Sequence, residues 1–345
     1  MEVSRIRRRK QRMGEQCMID NFGRVHRDLR VSLTDRCSLR CNYCMPHDFS
    51  NWLPHENQLT TNELIQVIEA AVAQGITEVR LTGGEPLLRP DLVGIVDRIH
   101  SIENAPEISM TTNGVGLAKI AQALKDAGLQ RLNISLDTLD WERFKRITHR
   151  DRFDDVMQGI AAAKAADFSN IKINAVLMRG INDGESVELL KWAMNESLQL
   201  RFIEQMPLDA GGIWKRDEMI TADEIFAELS KEFVLTPKEN RGSSPSEDFL
   251  VNGGPYSVGI IGSVTRPFCA NCDRIRLTSD GQLRSCLFAM TETDLRSILR
   301  DKTIVNKDQR LQELFLTCVK SKLPGHGIND PSFNQPSRPM SAIGG

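Results

Sequence analysis

No stretch of the 345-residue chain approaches the ~20 consecutive apolar residues that a membrane-spanning helix needs. The basic N-terminus is not followed by the apolar run of a secretory signal, which predicts a cytoplasmic protein. With Glu2 and Glu15 in it, this leader reads as a solvated tail rather than an import signal. An excess of positive charge is also missing, because 44 Lys and Arg stand against 46 Asp and Glu. Arg5, Arg7, Arg8, Arg9, Lys10 and Arg12 concentrate six of those cations in the first 12 residues, leaving 38 basic against 45 acidic residues beyond them. Binding to nucleic acid rests largely on neutralising phosphates with Lys and Arg, so a general nucleic-acid binder is excluded. Any anionic ligand must meet a local basic cluster. Solenoid repeats and long low-complexity tracts are absent, and no GxxxxGK[ST] phosphate loop is present, so a conventional NTPase site is excluded.

What remains is 40% hydrophobic and 26% charged, the mixture of a globular enzyme. From residue 28 onward, short aliphatic runs alternate with amphipathic stretches. The runs predict strands at 29–33, 77–82, 107–111, 130–135, 171–177 and 200–205. Apolar residues at i, i+3 and i+4 predict helices near 60–74, 91–101, 117–127, 153–166 and 184–196, and Thr60-Thr61-Asn62-Glu63 supplies a cap for the first. Strands joined by helices in this order make a parallel sheet. The expected fold is α/β, an incomplete, open TIM-type barrel of about six βα units closed by a C-terminal β-rich region. The expected division is a basic tail at 1–19, the barrel at 20–220 and the C-terminal region at 221–345. In that last region a helix is expected at 221–233 and a polar loop at 241–255. Arg274–Thr278 and Gln282–Leu287 flank Ser279-Asp280-Gly281, a hairpin signal that sets Cys286 opposite about residue 275.

Functional groups of such barrels gather where strands end. Here those ends read Cys37–Cys44, Gly83-Gly84-Glu85-Pro86, Thr111-Thr112-Asn113-Gly114, Asn133-Ile134-Ser135-Leu136-Asp137 and Glu204-Gln205-Met206-Pro207. Singly they are ordinary turn residues; together they predict one pocket. Six of the eight cysteines form two triplets, Cys37/Cys41/Cys44 and Cys269/Cys272/Cys286, while Cys17 and Cys318 stand apart and read as buried or idle thiols. In a reducing compartment such clusters are metal ligands or redox centres. On spacing alone, three thiolates can hold an iron–sulfur cluster with one open iron, or a zinc ion completed by His47 and perhaps His55. Both readings stay open at this level.

The loop Cys37-Ser38-Leu39-Arg40-Cys41-Asn42-Tyr43-Cys44 resembles the CxxxCxxC loop of the radical S-adenosylmethionine (SAM) enzymes, and Gly83-Gly84-Glu85-Pro86 resembles their GGEP segment. The C-terminal CxxC-x13-C triplet and the terminal Gly344-Gly345 make the chain similar, from about Phe22 to its end, to the GTP 3′,8-cyclase family of molybdenum cofactor biosynthesis. The resemblance implies two 4Fe-4S clusters. One, on Cys37, Cys41 and Cys44, binds SAM through its open iron, with Tyr43, Gly84, Ser135 and Met206 around the cofactor. The other, on Cys269, Cys272 and Cys286, anchors the guanine of GTP. Arg30, Arg80, Thr111, Lys172, Arg274 and Arg276 match positions that contact GTP, and guanidinium forks suit a triphosphate. Arg274, Arg276, Gly344 and Gly345 are implied at the reacting centre, while Arg266 is left out. Glycine is expected at 84 to let a ligand approach the chain. A homodimer and a downstream cyclic pyranopterin synthase are further implications. The alternatives are a radical SAM peptide-modifying enzyme with an auxiliary cluster and, in another class, a zinc-binding interaction module.

Overall fold

The computed structural model describes residues 17–45, 48–209, 212, 214–239 and 241–344. The basic leader, His47 and Gly345 lie outside the described residues. Six strands alternate with helices: β1 Asp28–Ser32, β2 Glu78–Thr82, β3 Glu107–Thr112, β4 Arg131–Ser135, β5 Ile171–Val176 and β6 Gln199–Ile203. The helices are α1 Thr61–Ala73, α2 Leu92–His100, α3 Ala121–Asp126, α4 Trp141–Thr148, α5 Phe153–Ala165 and α6 Ser186–Asn195. Thr60 starts α1 with a capping box, its hydroxyl accepting from the Glu63 amide while the Glu63 carboxylate accepts from the Thr60 amide. The stretch expected as one helix at 117–127 is a 3-10 turn, Leu117–Lys119, followed by α3. Helix α4 was not anticipated. Half of its residues are charged, and its start is set by Asp140, whose carboxylate accepts from the Arg143 amide at 2.7 Å.

The C-terminal part comprises α7 Ala222–Leu229, β7 Leu235–Pro237, β8 Glu247–Val251, β9 Ser257–Ile261, β10 Arg274–Leu277, β11 Gln282–Arg284, β12 Thr293–Asp294, α8 Arg296–Arg300, α9 Lys307–Lys320 and α10 Met340–Ile343. The loop expected at 241–255 therefore contains a strand. Phe249 and Val251 of β8 are buried, and Phe249 pairs with Val258 of β9. The hairpin after Arg274 is present, but its register pairs Arg276 with Arg284 and Leu277 with Leu283. Extended by two residues, this puts Cys286 against residue 274 rather than 275.

All twelve strands form one sheet in the order β12-β11-β10-β1-β2-β3-β4-β5-β6-β9-β8-β7. The run from β10 through β1 and β6 to β9 is parallel at every step. The C-terminal part thus adds three strands to each edge of the six-stranded barrel, parallel β10 and β9 directly against it, and the sheet stays open between β7 and β12. Alternation along each strand sorts the side chains. Leu29, Val31, Val79, Leu81, Ile108 and Met110 are fully buried in the main apolar core, whereas Arg30, Arg80, Thr111, Lys172 and Arg201 share the opposite, inner face. Glu204, just past β6, ties the two parts together. Its carboxylate accepts from the amides of Ala222, Val264 and Thr265 at 2.7, 2.8 and 2.9 Å. No helix among the described residues is long and apolar enough to cross a membrane.

Candidate active site

The first cysteine triplet occupies the loop that leaves β1. The amides of Gly84 and Glu85 donate to the carbonyls of Thr34 and Arg36, both at 2.7 Å, and lock that loop to the turn after β2. A Cβ on Gly84 would stand 2.3 Å from the Arg36 oxygen and 2.5 Å from the Asp35 oxygen. Gly84 is therefore required by the approach of two backbone segments, a constraint separate from the expected approach of a ligand. On the other side the loop rests on α4, with the Arg40 amide donating to Thr148 and the Asn42 amide to Ile147. Within the loop the amides of Cys44 and Met45 donate to the Cys41 carbonyl.

Polar residues at the next strand ends converge on the same loop. Asn113 donates from Nδ2 to Cys37 Sγ at 3.6 Å and to Ser38 Oγ at 3.0 Å. The buried Glu85 carboxylate accepts from Thr112 Oγ1 at 2.6 Å and from the Asn113 amide at 2.7 Å. Tyr43 donates its hydroxyl to Asp137 Oδ2 at 2.8 Å, and Asp137 Oδ1 accepts from the Val176 amide. Burial pushes Glu85 up to about 7 and Asp137 up to about 6, against the pull of those hydrogen bonds. Burial, and then the nearby Glu85, push the Cys37 thiol up to about 11. Cys44 is pushed up to about 12 by burial and Cys37, and Cys41 well above its ordinary value. Such thiols stay protonated in neutral solution and yield their protons only to a metal centre that binds thiolate strongly.

The second triplet straddles β10 and β11. Cys269 and Cys272 bracket a 3-10 turn that runs into β10, and the Cys272 amide donates to the Cys269 carbonyl at 3.2 Å. Cys286 follows β11. Burial raises Cys269. Cys272 behaves oppositely, since Arg274 and Lys322 together outweigh its burial and lower it. Among the described residues no three His, Cys, Asp or Glu side chains stand close enough to chelate a single metal ion. A cluster asks for a different spacing, because each thiolate takes its own iron. Two sets of three half-buried thiols suit such a group. His55 is exposed on a short turn.

Between the triplets the inner face of the sheet is basic. Arg30 pairs in register with Arg80 on one side and Arg276 on the other. Lys172 pairs with Asn133, and Asn133 Nδ2 donates to Thr111 Oγ1 at 3.4 Å. Arg201 on β6 completes the set, donating to Asn174 Oδ1 at 3.1 Å and Asn133 Oδ1 at 2.6 Å. Burial and neighbouring cations bring Arg30 and Arg276 down to about 9, Arg201 to about 10 and Lys172 to about 8. Asp28 and Asp248 are the carboxylates that oppose this. Positive charge held out of water and incompletely balanced is a standing site for a polyanion.

The chain's own end enters this space. The Ser341 amide donates to Cys44 Sγ, and the Gly344 carbonyl accepts from Arg276 Nη1. A Cβ on Gly344 would lie 2.6 Å from Thr82 Oγ1. Ser135 is half-buried at the end of β4, and Met206 packs beside Ile343 in a small apolar cluster with Leu208 and Phe288. Arg266 turns away from the lumen to Glu247 and Asp223. Cys318 is buried in α9. Arg201 was not foreseen, although its alternation with the buried Leu200 and Phe202 marked it as inward-facing. Nor were the bracing roles of Glu85, Asn113 and Asp137, which were visible only as strand-end polar residues.

An open parallel barrel whose first strand delivers three cysteines to the mouth is the architecture of the radical SAM superfamily, and the model of that superfamily matches residues 31–193. The same fold is seen in the solved structure of Streptococcus suis SuiB bound to precursor peptide SuiA, at a TM-score of 0.60 with 14% identity, covering 87% of this chain and 68% of that one. Residues 198–328 match the Molybdenum Cofactor Synthesis C family. The chain is 54% identical to a GTP 3′,8-cyclase of Streptomyces coelicolor, covering 99% of this chain and 100% of the relative. It is 52% identical to one of Mycolicibacterium smegmatis, covering 95% and 92%. The chain belongs to the GTP 3′,8-cyclase family. Membership brings SAM and a 4Fe-4S cluster with it and sets aside the zinc-binding module.

Proposed function

We propose that this chain converts GTP to 3′,8-cyclo-7,8-dihydro-GTP, the first step of molybdenum cofactor biosynthesis. The observation that carries this reading is the set of six cations, Arg30, Arg80, Lys172, Arg201, Arg274 and Arg276, gathered between two thiol triplets. Cys37, Cys41 and Cys44 would hold one 4Fe-4S cluster and Cys269, Cys272 and Cys286 a second. Bound to the first triplet, a cluster supplies the electron that cleaves SAM and so provides a deoxyadenosyl fragment able to take the 3′ hydrogen of GTP.

The protein's part is placement. Tyr43, Gly84, Ser135 and Met206 would border SAM, with Asp137 holding the Tyr43 ring by its hydroxyl. Arg30, Arg80, Thr111 and Lys172 would take the triphosphate, with the guanine turned toward the second triplet. Arg274, Arg276 and the Gly344-Gly345 tail would hold C3′ against the SAM 5′ carbon and C8 within reach of C3′, since the transfer needs near-contact geometry. Residues 20–220 then serve radical generation and hold the triphosphate, while 221–345 supply the second triplet, Arg274, Arg276 and the tail. The family resemblance supports a cytoplasmic homodimer whose product passes to a cyclic pyranopterin synthase. Reconstitution without oxygen, followed by iron and sulfide analysis and incubation with GTP, SAM and a reductant, tests the reading. On the order of eight irons per chain and the cyclised nucleotide are expected. A protein with both clusters that cleaves SAM yet leaves GTP unchanged would sink it.

A further inference from the structure

Two buried cations from opposite ends of the chain grip the backbone that carries Cys269 and Cys272. Lys322, 4% exposed, lies two residues beyond α9. Its ammonium donates to the Arg274 carbonyl at 2.6 Å, the Cys272 carbonyl at 3.2 Å and Cys272 Sγ at 3.5 Å. Arg24, also buried, donates to the Cys269 carbonyl at 2.8 Å and to the carbonyls of Leu323 and Pro324 at 2.7 and 3.2 Å. Asp20 fixes Arg24 through Nε at 2.5 Å and accepts from the amides of Phe22 and Arg24. Arg24 therefore holds the entry to the CxxC turn and Lys322 its exit. An ammonium is a costly group to bury unless it acts on something charged, and here all three of its donors are directed at one ligand residue and the strand that follows it.

We propose that Lys322 is a positioning residue for the second cluster, whose thiolate at Cys272 it orients and whose charge it partly offsets. The proposal rests on the reading that Cys269, Cys272 and Cys286 hold a 4Fe-4S cluster. Hydrogen bonds and positive charge at a ligand sulfur stabilise the reduced, more negative state of such a centre and raise its potential. Lys322→Met keeps the length and removes both. The same ammonium fixes the Arg274 carbonyl, so it links the geometry of the cluster to the strand bearing Arg274 and Arg276.

The test is an EPR-monitored redox titration, with iron analysis and a melting curve, on anaerobically reconstituted wild-type and K322M protein. The first cluster serves as the internal reference. The expected result is a second-cluster midpoint displaced to more negative potential, with the first cluster's signal and midpoint unmoved. Selective loss of about four of the eight irons, with the first cluster's signal and the melting temperature kept, supports the same role. K322M with full iron and both midpoints unchanged would overturn the proposal. So would loss of both clusters or a lowered melting temperature with equal shifts in both, since Lys322 would then be only structural. Wild-type protein with four irons instead of eight would remove the second cluster itself and the proposal with it, a failure recognisable before any variant is made.

Discussion

The two cysteine triplets offer the same three thiols in opposite electrostatic settings. Around the first stand carboxyl groups, with Glu85 beside Cys37 and Asp137 beside Cys41, and the hydrogen-bond donors are neutral (the Asn113, Leu39 and Ser341 amides and the Tyr43 hydroxyl), while Arg40 near Cys37 offsets the carboxyl groups only in part. Around the second stand Arg274 and Lys322, and Cys272 is lowered although it is half-buried. Identical ligands are thus separated by their surroundings. Acidic neighbours disfavour adding an electron and suit a centre that must be strongly reducing; basic neighbours suit one that receives an anionic substrate.

The comparison breaks most sharply at the ligands. Cys41→Ala should abolish SAM cleavage, whereas Cys272→Ala should abolish GTP cyclisation while SAM cleavage persists at a basal rate, each variant keeping about four of eight irons. Product analysis for deoxyadenosine beside the cyclised nucleotide separates them, and an identical outcome for both variants would erase the proposed division. Deleting Gly344 and Gly345 should stop product formation with both clusters still assembled, because Gly344 stands between Arg276 and the end of β2. Full turnover of the truncated protein would refute that.

Arg276→Ala removes a charged donor next to Arg30 and should weaken GTP binding about 10- to 100-fold, matching about 1.5–3 kcal/mol for such a hydrogen bond, without touching SAM cleavage. Equilibrium binding of GTP to the reconstituted variant checks it. Gly84→Ala places a methyl against two backbone carbonyls that cannot yield, and should cost about 1–3 kcal/mol, confined to the first loop. Its signature is loss of the first cluster's EPR signal with the second retained.

A further effect, spread over a range of pH, concerns acid. Burial, then the Lys322 charge, hold His26 down to about 4 although Asp20 opposes them. The fold therefore refuses a proton that the unfolded chain accepts below pH 6.5, and stability should fall by on the order of 3 kcal/mol between pH 6.5 and about 4. Asp20 is pushed up by burial, but hydrogen bonds from Arg24, Phe22 and His26 prevail and bring it to about 2, so further stability is lost as pH falls below 3.8. Since both residues support the second triplet through Arg24, a pH series of melting curves and cluster spectra should show the second cluster released first. Simultaneous release would show that the bracket does not act locally.

The six barrel strands were legible to within two residues because buried parallel strands carry compact aliphatic runs, each followed by a helical repeat. The open barrel and the two triplets followed from the same reading. What escaped was decided by distant partners. Strand β8 is held by β9 across a stretch that reads as polar, and α4 earns its place by supporting the cysteine loop. Arg24 and Lys322, 298 positions apart, meet only around Cys269 and Cys272. No local pattern distinguishes them from the solvated cations that most Arg and Lys residues are.

The placement of β10 beside β1 also governs how the chain is made. Asp28 pairs with Arg274, so one edge of the founding strand waits through 246 residues of synthesis for its neighbour. At ribosomal speeds of about 5–20 residues per second that is roughly 10–50 s with an uncovered strand edge and an exposed first cysteine loop. The second thiol triplet becomes complete only once synthesis has passed Cys286, long after Cys37, Cys41 and Cys44 have emerged.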